Sequence, residues 1–275
     1  MPSIDEIRDA LYRAAALPDA DLAAAALLVA AEEYPELDHA RYLSFLDEIA
    51  DSLRRRLGDD GDPERVRRAT CEELFVRHRF AGDTEDYYDP RNSYLNEVID
   101  RRRGIPITLA VVYIAVGTRL GQPVHGVNAP GHFLVRHGDV VLDPFAGGRV
   151  VERPVLAAQL AQLGVENAEQ QVARLLDAPP DTRAVLVRIL GNLKANHLQR
   201  KDFSRALAVV DRLVHLDPRN PLWLRDRGAL YQRLDCPHAA VADFERYLAL
   251  VPDDPEGDVI RETVVKLSRN APTLQ

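Results

Sequence analysis

Apolar positions recur along this chain in three patterns, and each predicts a different kind of element. Residues of about 4–16, 20–34, 38–57 and 63–79 carry apolar side chains at helical spacing and are separated by Pro, Asp and Gly punctuation, which predicts four helices. In the third, Leu43, Leu46, Ile49, Leu53 and Leu57 form one stripe with carboxylates and arginines opposite. Asn92-Ser93 then reads as the cap of a helix over 94–102. The stretch 106–120 is different, because Leu109, Val112, Tyr113 and Val116 keep helical spacing while Ile107, Ala110, Val111, Ile114 and Ala115 fill the other faces. Bracketed by Gly104 and Gly121, with Pro106 suited to a first helical turn, it predicts a helix wrapped by protein nearly all round. The third pattern is three short β-leaning runs, 124–127, 132–136 and 140–143, separated by Asn128-Ala129-Pro130-Gly131 and by Gly138-Asp139. Beyond Arg149 the pattern is helical again: one helix opening at Arg153-Pro154 and ending at Gly164, a polar segment over 166–181, and within it a boundary at Pro179-Pro180.

Composition narrows the class. A chain of 275 residues, 46% of them hydrophobic, has material for one large domain or two ordinary ones. Its two cysteines, Cys71 and Cys236, are too few and too distant for a disulfide framework or a zinc site, which suits a reducing cytoplasm. The N-terminal stretch is acidic, without a basic segment ahead of an apolar core, and its longest apolar run, 22–31, is too short for a membrane span. A cytoplasmic protein with no membrane part is expected. The net charge of −8 argues against non-specific nucleic-acid binding. The arginine clusters at 54–56, 67–68 and 101–103 are short and lie among acids, so they read as solvated or salt-bridged helix faces.

The turn at Gly138-Asp139 carries the candidate chemistry. If these two residues form the hairpin loop, His137 faces Val140 and Arg136 faces Val141, which puts His132 one diagonal step from Asp143 on the same sheet face. A histidine and a carboxylate in reach of each other are the base and orienter of a catalytic triad; the bland alternative is a histidine beside a strand and an aspartate opening an Asp-Pro turn. For a nucleophile, Thr108 lies in the first turn of the core helix, where a threonine hydroxyl usually bonds back to the preceding turn. Cys71 reads as a helix start, but Glu72 and Glu73 directly after it oppose thiolate formation. A metal site from His125, His132, His137 and Asp143 is set aside, because alternation along strands scatters these side chains over both faces. No metal and no cofactor are expected.

At this point the residues resemble a known family. The series Phe80, Tyr87-Tyr88-Asp89-Pro90-Arg91-Asn92-Ser93-Tyr94-Leu95, Arg103-Gly104-Ile105-Pro106-Ile107-Thr108-Leu109, Arg119-Leu120-Gly121, Pro130-Gly131-His132-Phe133-Leu134 and Asp143-Pro144-Phe145 is similar to the bacterial regulator-of-sirC family, over about residues 35–155 for a first domain with a repeat region following. The resemblance implies an α+β papain- or transglutaminase-like core, with a helix carrying the nucleophile at its N-terminus and an antiparallel sheet presenting His and then Asp. By that resemblance the base and orienter fall on His132 and Asp143. The family of active enzymes places its cysteine one helix length before Arg119-Leu120-Gly121, and that position is Pro106, which has neither a nucleophile nor an N–H for an oxyanion. The pair then reads as a remnant dyad in a binding cleft that Pro106, Thr108, Asn92, Tyr87 and Tyr88 could share.

A repeat follows. Ala206 and Ala240, Leu216 and Leu250, and Pro218 and Pro252 are each 34 residues apart, the tetratricopeptide period, and Gly228, Tyr231, Ala240, Phe244 and Pro252 keep that repeat's signature. Two repeats are expected at about 185–218 and 219–252, with a capping helix over 255–269. The first repeat is degenerate, with Lys194 and His197 where Gly and Tyr stand in the second. So short an array is expected to dock on the first domain through the helix after Pro154. Leu198, Arg225 and Gln232 are the groove residues, and they lack the Lys and Asn pattern of repeats that clamp a C-terminal carboxylate. The expected organisation is therefore a helical lead-in and transglutaminase-like core over 1–155, a connector over 156–180 and an all-α repeat region over 181–275. The function carried forward is a non-catalytic, cytoplasmic regulator or scaffold that binds a protein or peptide. The alternative is an amide hydrolase or acyltransferase using His132, Asp143 and another nucleophile. The residues leave oligomeric state and the partner's identity open.

Overall fold

The structure is a computed structural model that describes residues 2–17, 20–58 and 62–270. The chain divides into two compact units, Met1–Ile189 and Leu190–Gln275. In the first, α1 (Ile4–Ala16), α2 (Leu22–Ala31), α3 (His39–Leu57) and α4 (Pro63–Cys71) make the helical lead-in. Each begins on a side-chain cap: Ser3 closes a capping box with Glu6, and Asp21, Asp38 and Asp62 accept from first-turn amides. The fourth helix does not run on to residue 79. It stops at Cys71 and widens into a π-helical turn, Glu72–Arg77, so Cys71 ends a helix instead of starting one. The wider turn carries Glu73 inward, where its carboxylate lies 2.9 Å from Arg56 and 3.5 Å from His78.

The segment before the core helix also departs from expectation. Asn92 and Ser93 lie inside a 3-10 turn, Pro90–Ser93, which Asp89 caps, and α5 (Leu95–Arg101) starts at Tyr94 with no side-chain cap. Arg102 ends α5 at φ 58° and lays its guanidinium over the rings of Phe45 (4.3 Å) and Phe80 (4.8 Å). The reversal pairs β1 (Ala81–Gly82) with β2 (Arg103–Gly104) in parallel, a pair too short to leave an alternation in the sequence.

The core helix, α6 (Pro106–Arg119), is buried at every residue from Pro106 to Gly117. It packs against α2, α3 and a four-stranded antiparallel sheet of order β3-β4-β5-β6, formed by β3 (Val124–Val127), β4 (Leu134–His137), β5 (Val140–Asp143) and β6 (Arg149–Val150). Gly117 permits that approach, since a Cβ there would sit 2.6 Å from Val124 Cγ2. The hairpin has the expected register, with His137 opposite Val140 and Arg136 opposite Val141. His132, however, precedes β4 and lies in the loop. After β6 come α7 (Arg153–Gln162) and α8 (Ala168–Asp177); the latter occupies the segment distinguished in the sequence only by its polarity. Val172 and Leu176, one turn apart, join Leu156 and Leu160 in a cluster with Leu134 and Val141 of the sheet. Burial worth about 1.5–3 kcal/mol per large side chain outweighs the polar average of the segment.

The helix α9 (Thr182–Gln199) carries the chain from one unit into the next. The second unit continues with α10 (Phe203–Leu216), α11 (Leu222–Arg233), α12 (Pro237–Leu250) and α13 (Gly257–Asn270). Its helix pairs follow the repeat pattern. Ala206 and Ala240 are both fully buried, and Gly228 lies under the Phe244 ring, 2.8 Å from where its Cβ would be. Arg227 of α11 bridges Asp211 of α10 (2.6 Å) and Asp243 of α12 (2.7 Å).

Candidate functional site

Two turns bring the histidine and the aspartate together. Pro130 presets one central residue of a turn closed by the His132 amide on the Ala129 carbonyl (3.2 Å), and Gly131 takes the positive φ (72°) that the other central position requires. At the end of β5, Asp143 caps the 3-10 turn Pro144–Ala146, with Oδ1 accepting from the amides of Phe145 (3.0 Å) and Ala146 (3.2 Å). His132 Nε2 lies 3.1 Å from the same Oδ1. That oxygen already serves two amides, and the ring N–H is not aligned on it, so the two groups stand at contact distance without a formed hydrogen bond. Burial alone would raise the Asp143 carboxyl, but His132 and the two amides outweigh it and hold the group below its ordinary value.

Phe145 stands edge-on to His132 (6.3 Å between ring centres) and to Tyr87 (6.0 Å). Its ring rests on Gly82, where a Cβ would come within 2.5 Å. Gly82 in turn pairs with Gly104, two residues before Pro106, so the aromatic ring lies between the dyad and the strand pair leading into α6.

Nothing at that helix start is available as a nucleophile to His132. Pro106 is the buried first residue of α6. The Thr108 hydroxyl donates to the Asn92 carbonyl (2.7 Å) and accepts from the Ile105 amide (3.2 Å), which makes it the cap of a helix whose N-cap residue, Ile105, has no polar side chain. Asn92 is also buried and spoken for: Nδ2 donates to the Asp86 carbonyl (2.8 Å) and Oδ1 accepts from Arg101 (3.1 Å), which also reaches Asp83 (3.2 Å). Tyr87 and Tyr88 are exposed on the loop that this network holds. None of these five residues lines the cleft at the dyad. That cleft, of about 580 Å³, runs along α7 and is lined by His132 and Asp143, by Leu134, Leu156, Leu160 and Leu163, and by Arg149, Glu152, Gln159 and Gln162 among others. Of the repeat residues, Leu198 and Gln232 are exposed, while Arg225 is half-buried and paired with Glu256 (3.4 Å).

A second polar chain went unseen in the sequence. His137 is buried, with Nδ1 2.9 Å from the Tyr113 hydroxyl and Nε2 3.5 Å from Gln122, and Cys71 Sγ lies 4.0 Å from the same hydroxyl. Burial pushes the Cys71 thiol up, the direction opposite to activation. Tyr113 was the available signal, since a tyrosine inside an otherwise apolar buried helix needs a partner for its hydroxyl. Burial, reinforced by Arg67, pushes His137 down to about 4 from the ordinary 6.5. The unfolded chain takes up that proton first, so the contribution of neutral His137 is present above pH 6.5 and is lost as pH falls toward 4. Urea unfolding at pH 7 and pH 5 should differ by about 2 kcal/mol from this residue, and His137→Gln should reduce the difference. An unchanged difference in the variant would assign the loss to other groups.

Among the described residues, no group of three or more His, Cys, Asp or Glu side chains is placed to hold a metal ion, and no helix is long and apolar enough to cross a membrane. The transglutaminase-like superfamily matches residues 40–191, and the tetratricopeptide repeat matches residues 193–264. The chain is similar to a UPF0162 protein of Xylella fastidiosa (strain Temecula1 / ATCC 700964), at 39% identity over 252 residues and 90% of each chain. It is similar to a UPF0162 protein of Pseudomonas aeruginosa at 34% identity, covering 84% of each chain. To protein SirB1 of Salmonella typhimurium it is 25% identical over 179 residues, 62% of this chain and 64% of that one.

Proposed function

We propose, from the premise that the chain belongs to the transglutaminase-like superfamily and within it to the family of the UPF0162 and SirB1 proteins, that it works as a non-catalytic regulator through protein binding. The observation that carries this reading is the state of the α6 start. A cysteine enzyme of this architecture needs a thiol there, in the field of the helix N-terminus and facing the histidine. Pro106 supplies no such group, and Thr108 has its hydroxyl committed to Asn92 and Ile105. The histidine and aspartate then serve as a fixed polar contact on the wall of a binding cleft, and the tetratricopeptide unit offers a second surface around Leu198, Arg225 and Gln232. Cytoplasmic location belongs to the same reading.

The test is an assay of the purified full chain for ammonia release from a glutaminyl peptide and for acyl transfer to an amine. Neither should exceed the buffer rate, and His132→Ala should change nothing. A pull-down with wild type and with a Leu198→Ser, Gln232→Ala variant should recover partners that the variant loses. Recovery of the same partners by both would remove the repeats as the binding surface.

One observation favours a second reading, hydrolysis through water. His132 presents Nε2 to Asp143, which leaves Nδ1 without a partner among the described residues and in a position to act as a base. Turnover that disappears in His132→Ala would establish it.

A further inference from the structure

Arg149 lies exposed on β6, the edge strand of the four-stranded sheet, and among the described residues no carboxylate pairs with it. It shares the cleft beside the dyad with three large apolar side chains held out to solvent: Val150 (43% exposed), Val155 (51%) and Leu163 (60%). Exposed apolar side chains gathered around a concave floor, here Leu134, Leu156 and Leu160, mark a docking surface rather than ordinary surface scatter. We propose that the cleft between β6 and α7 binds an extended peptide segment in which a large apolar residue is followed two positions later by an acidic one, because Arg149 lies on the same sheet face as the apolar floor. The proposal deepens the function above and rests on reading the dyad region as a binding cleft.

The chemistry around the cleft decides the occupant. The Val151 amide donates to the Val141 carbonyl (2.9 Å), so strand alternation turns the main-chain groups of Val150 away from β5, toward the open edge. Gln159 and Gln162, one helical turn apart on α7, bring exposed amides to the other lip. These polar groups are spread along the cleft. A peptide main chain, with an N–H and a C=O at each residue, can meet them, whereas a fatty acid with one headgroup can satisfy only Arg149. The apolar floor takes the apolar side chain, and Arg149 takes the carboxylate. Glu152, also exposed and unpaired among the described residues, supplies the repulsive element: an acidic side chain is welcome at Arg149 and opposed near Glu152, which restricts the register.

Fluorescence anisotropy with the full chain tests this, using fluorescein-labelled, C-terminally amidated Gly-Ser-Gly-Leu-Ser-Asp-Gly-Ser-Gly, the Leu-Asp peptide, and two controls in which Leu becomes Ser (Ser-Asp) or Asp becomes Lys (Leu-Lys). The Leu-Asp peptide should bind saturably and each control about tenfold more weakly. Arg149→Glu should invert the preference toward Leu-Lys, and Leu163→Ser should weaken both apolar peptides; both positions are exposed, and circular dichroism checks that the variants fold. Equal binding of the three peptides, no saturable binding of Leu-Asp, or no inversion in Arg149→Glu would overturn the proposal. Saturable binding of dodecanoate without binding of peptide would replace the occupant by a lipid. The two levels of the reading fail differently: a probe recovered intact but unbound removes only the peptide, while a probe cleaved by wild type and spared by His132→Ala removes the binding reading itself.

Discussion

Arg227→Met is expected to destabilise the C-terminal unit by about 3–5 kcal/mol. The arginine is buried to 17% exposure, with its guanidinium on Asp243 through two bonds (2.7 and 2.8 Å) and on Asp211 through a third (2.6 Å). Asp243 is itself 8% exposed at its side chain, so truncating the arginine strands a carboxylate among α10, α11 and α12. The cost is mainly that of the uncompensated charge and not of the lost attraction. Arg225→Met is the control, because its partner Glu256 is 72% exposed and such a pair contributes about 0.5 kcal/mol. The chain's single tryptophan makes the measurement specific. Trp223 lies in α11, with Nε1 on Asp217 (3.0 Å) and Lys194 over its ring, so its emission on urea unfolding reports this unit. Equal midpoint shifts for the two variants would show that the Arg227 network contributes no more than a surface pair.

Asp143→Ala is expected to cost about 3 kcal/mol, and Asp143→Asn about 1 kcal/mol. The carboxylate does two jobs. It caps Phe145 and Ala146, whose amides have no other acceptor once Pro144 opens the turn, and it holds the charge facing His132. Asparagine keeps an oxygen for the cap and gives up the charge, so the two variants separate the jobs. If Asn proves as damaging as Ala, the contact with His132 dominates over the cap. The sign with pH follows from the depressed carboxyl. Its stabilisation is present at neutral pH and is lost as acid protonates Asp143 below the ordinary carboxylate range.

The elements that could be read directly were those whose cause is local. The Pro106–Arg119 helix announced itself by glycine brackets, a proline suited to the first turn and apolar residues on all faces, and the Gly138-Asp139 turn carried its own register. The repeats were legible because Gly228 and Phe244 must match for one to pack on the other. Where polarity was averaged over a segment, as across α8, the sequence marked no separate helix, since two apolar residues one turn apart were enough once a core lay beside them. The π-helical turn after Cys71 could not be foreseen. Its wider winding places Glu73 against Arg56, seventeen positions back along the chain from 73 to 56, and His78. The candidate cleft divided in the same way. His132 and Asp143 could be paired on paper, but Asn92, Thr108, Tyr87 and Tyr88 were grouped with them only because polar residues near a helix start look available.

By itself, then, the sequence determined the core helix, the hairpin register, the repeat unit, the His132 and Asp143 pairing and the absence of a thiol at residue 106. Each of these depends on residue type and on spacing within a few turns of chain. Tertiary structure alone decided that Thr108 spends its hydroxyl on the Asn92 carbonyl, that Phe145 rests on Gly82 beside His132, and that the open cleft lies along α7 instead of at the start of α6. These depend on which distant surfaces meet. A hydrogen bond or a ring contact between residues far apart in the chain is selected by the packing of the whole unit, and no local pattern of apolar and polar positions records it.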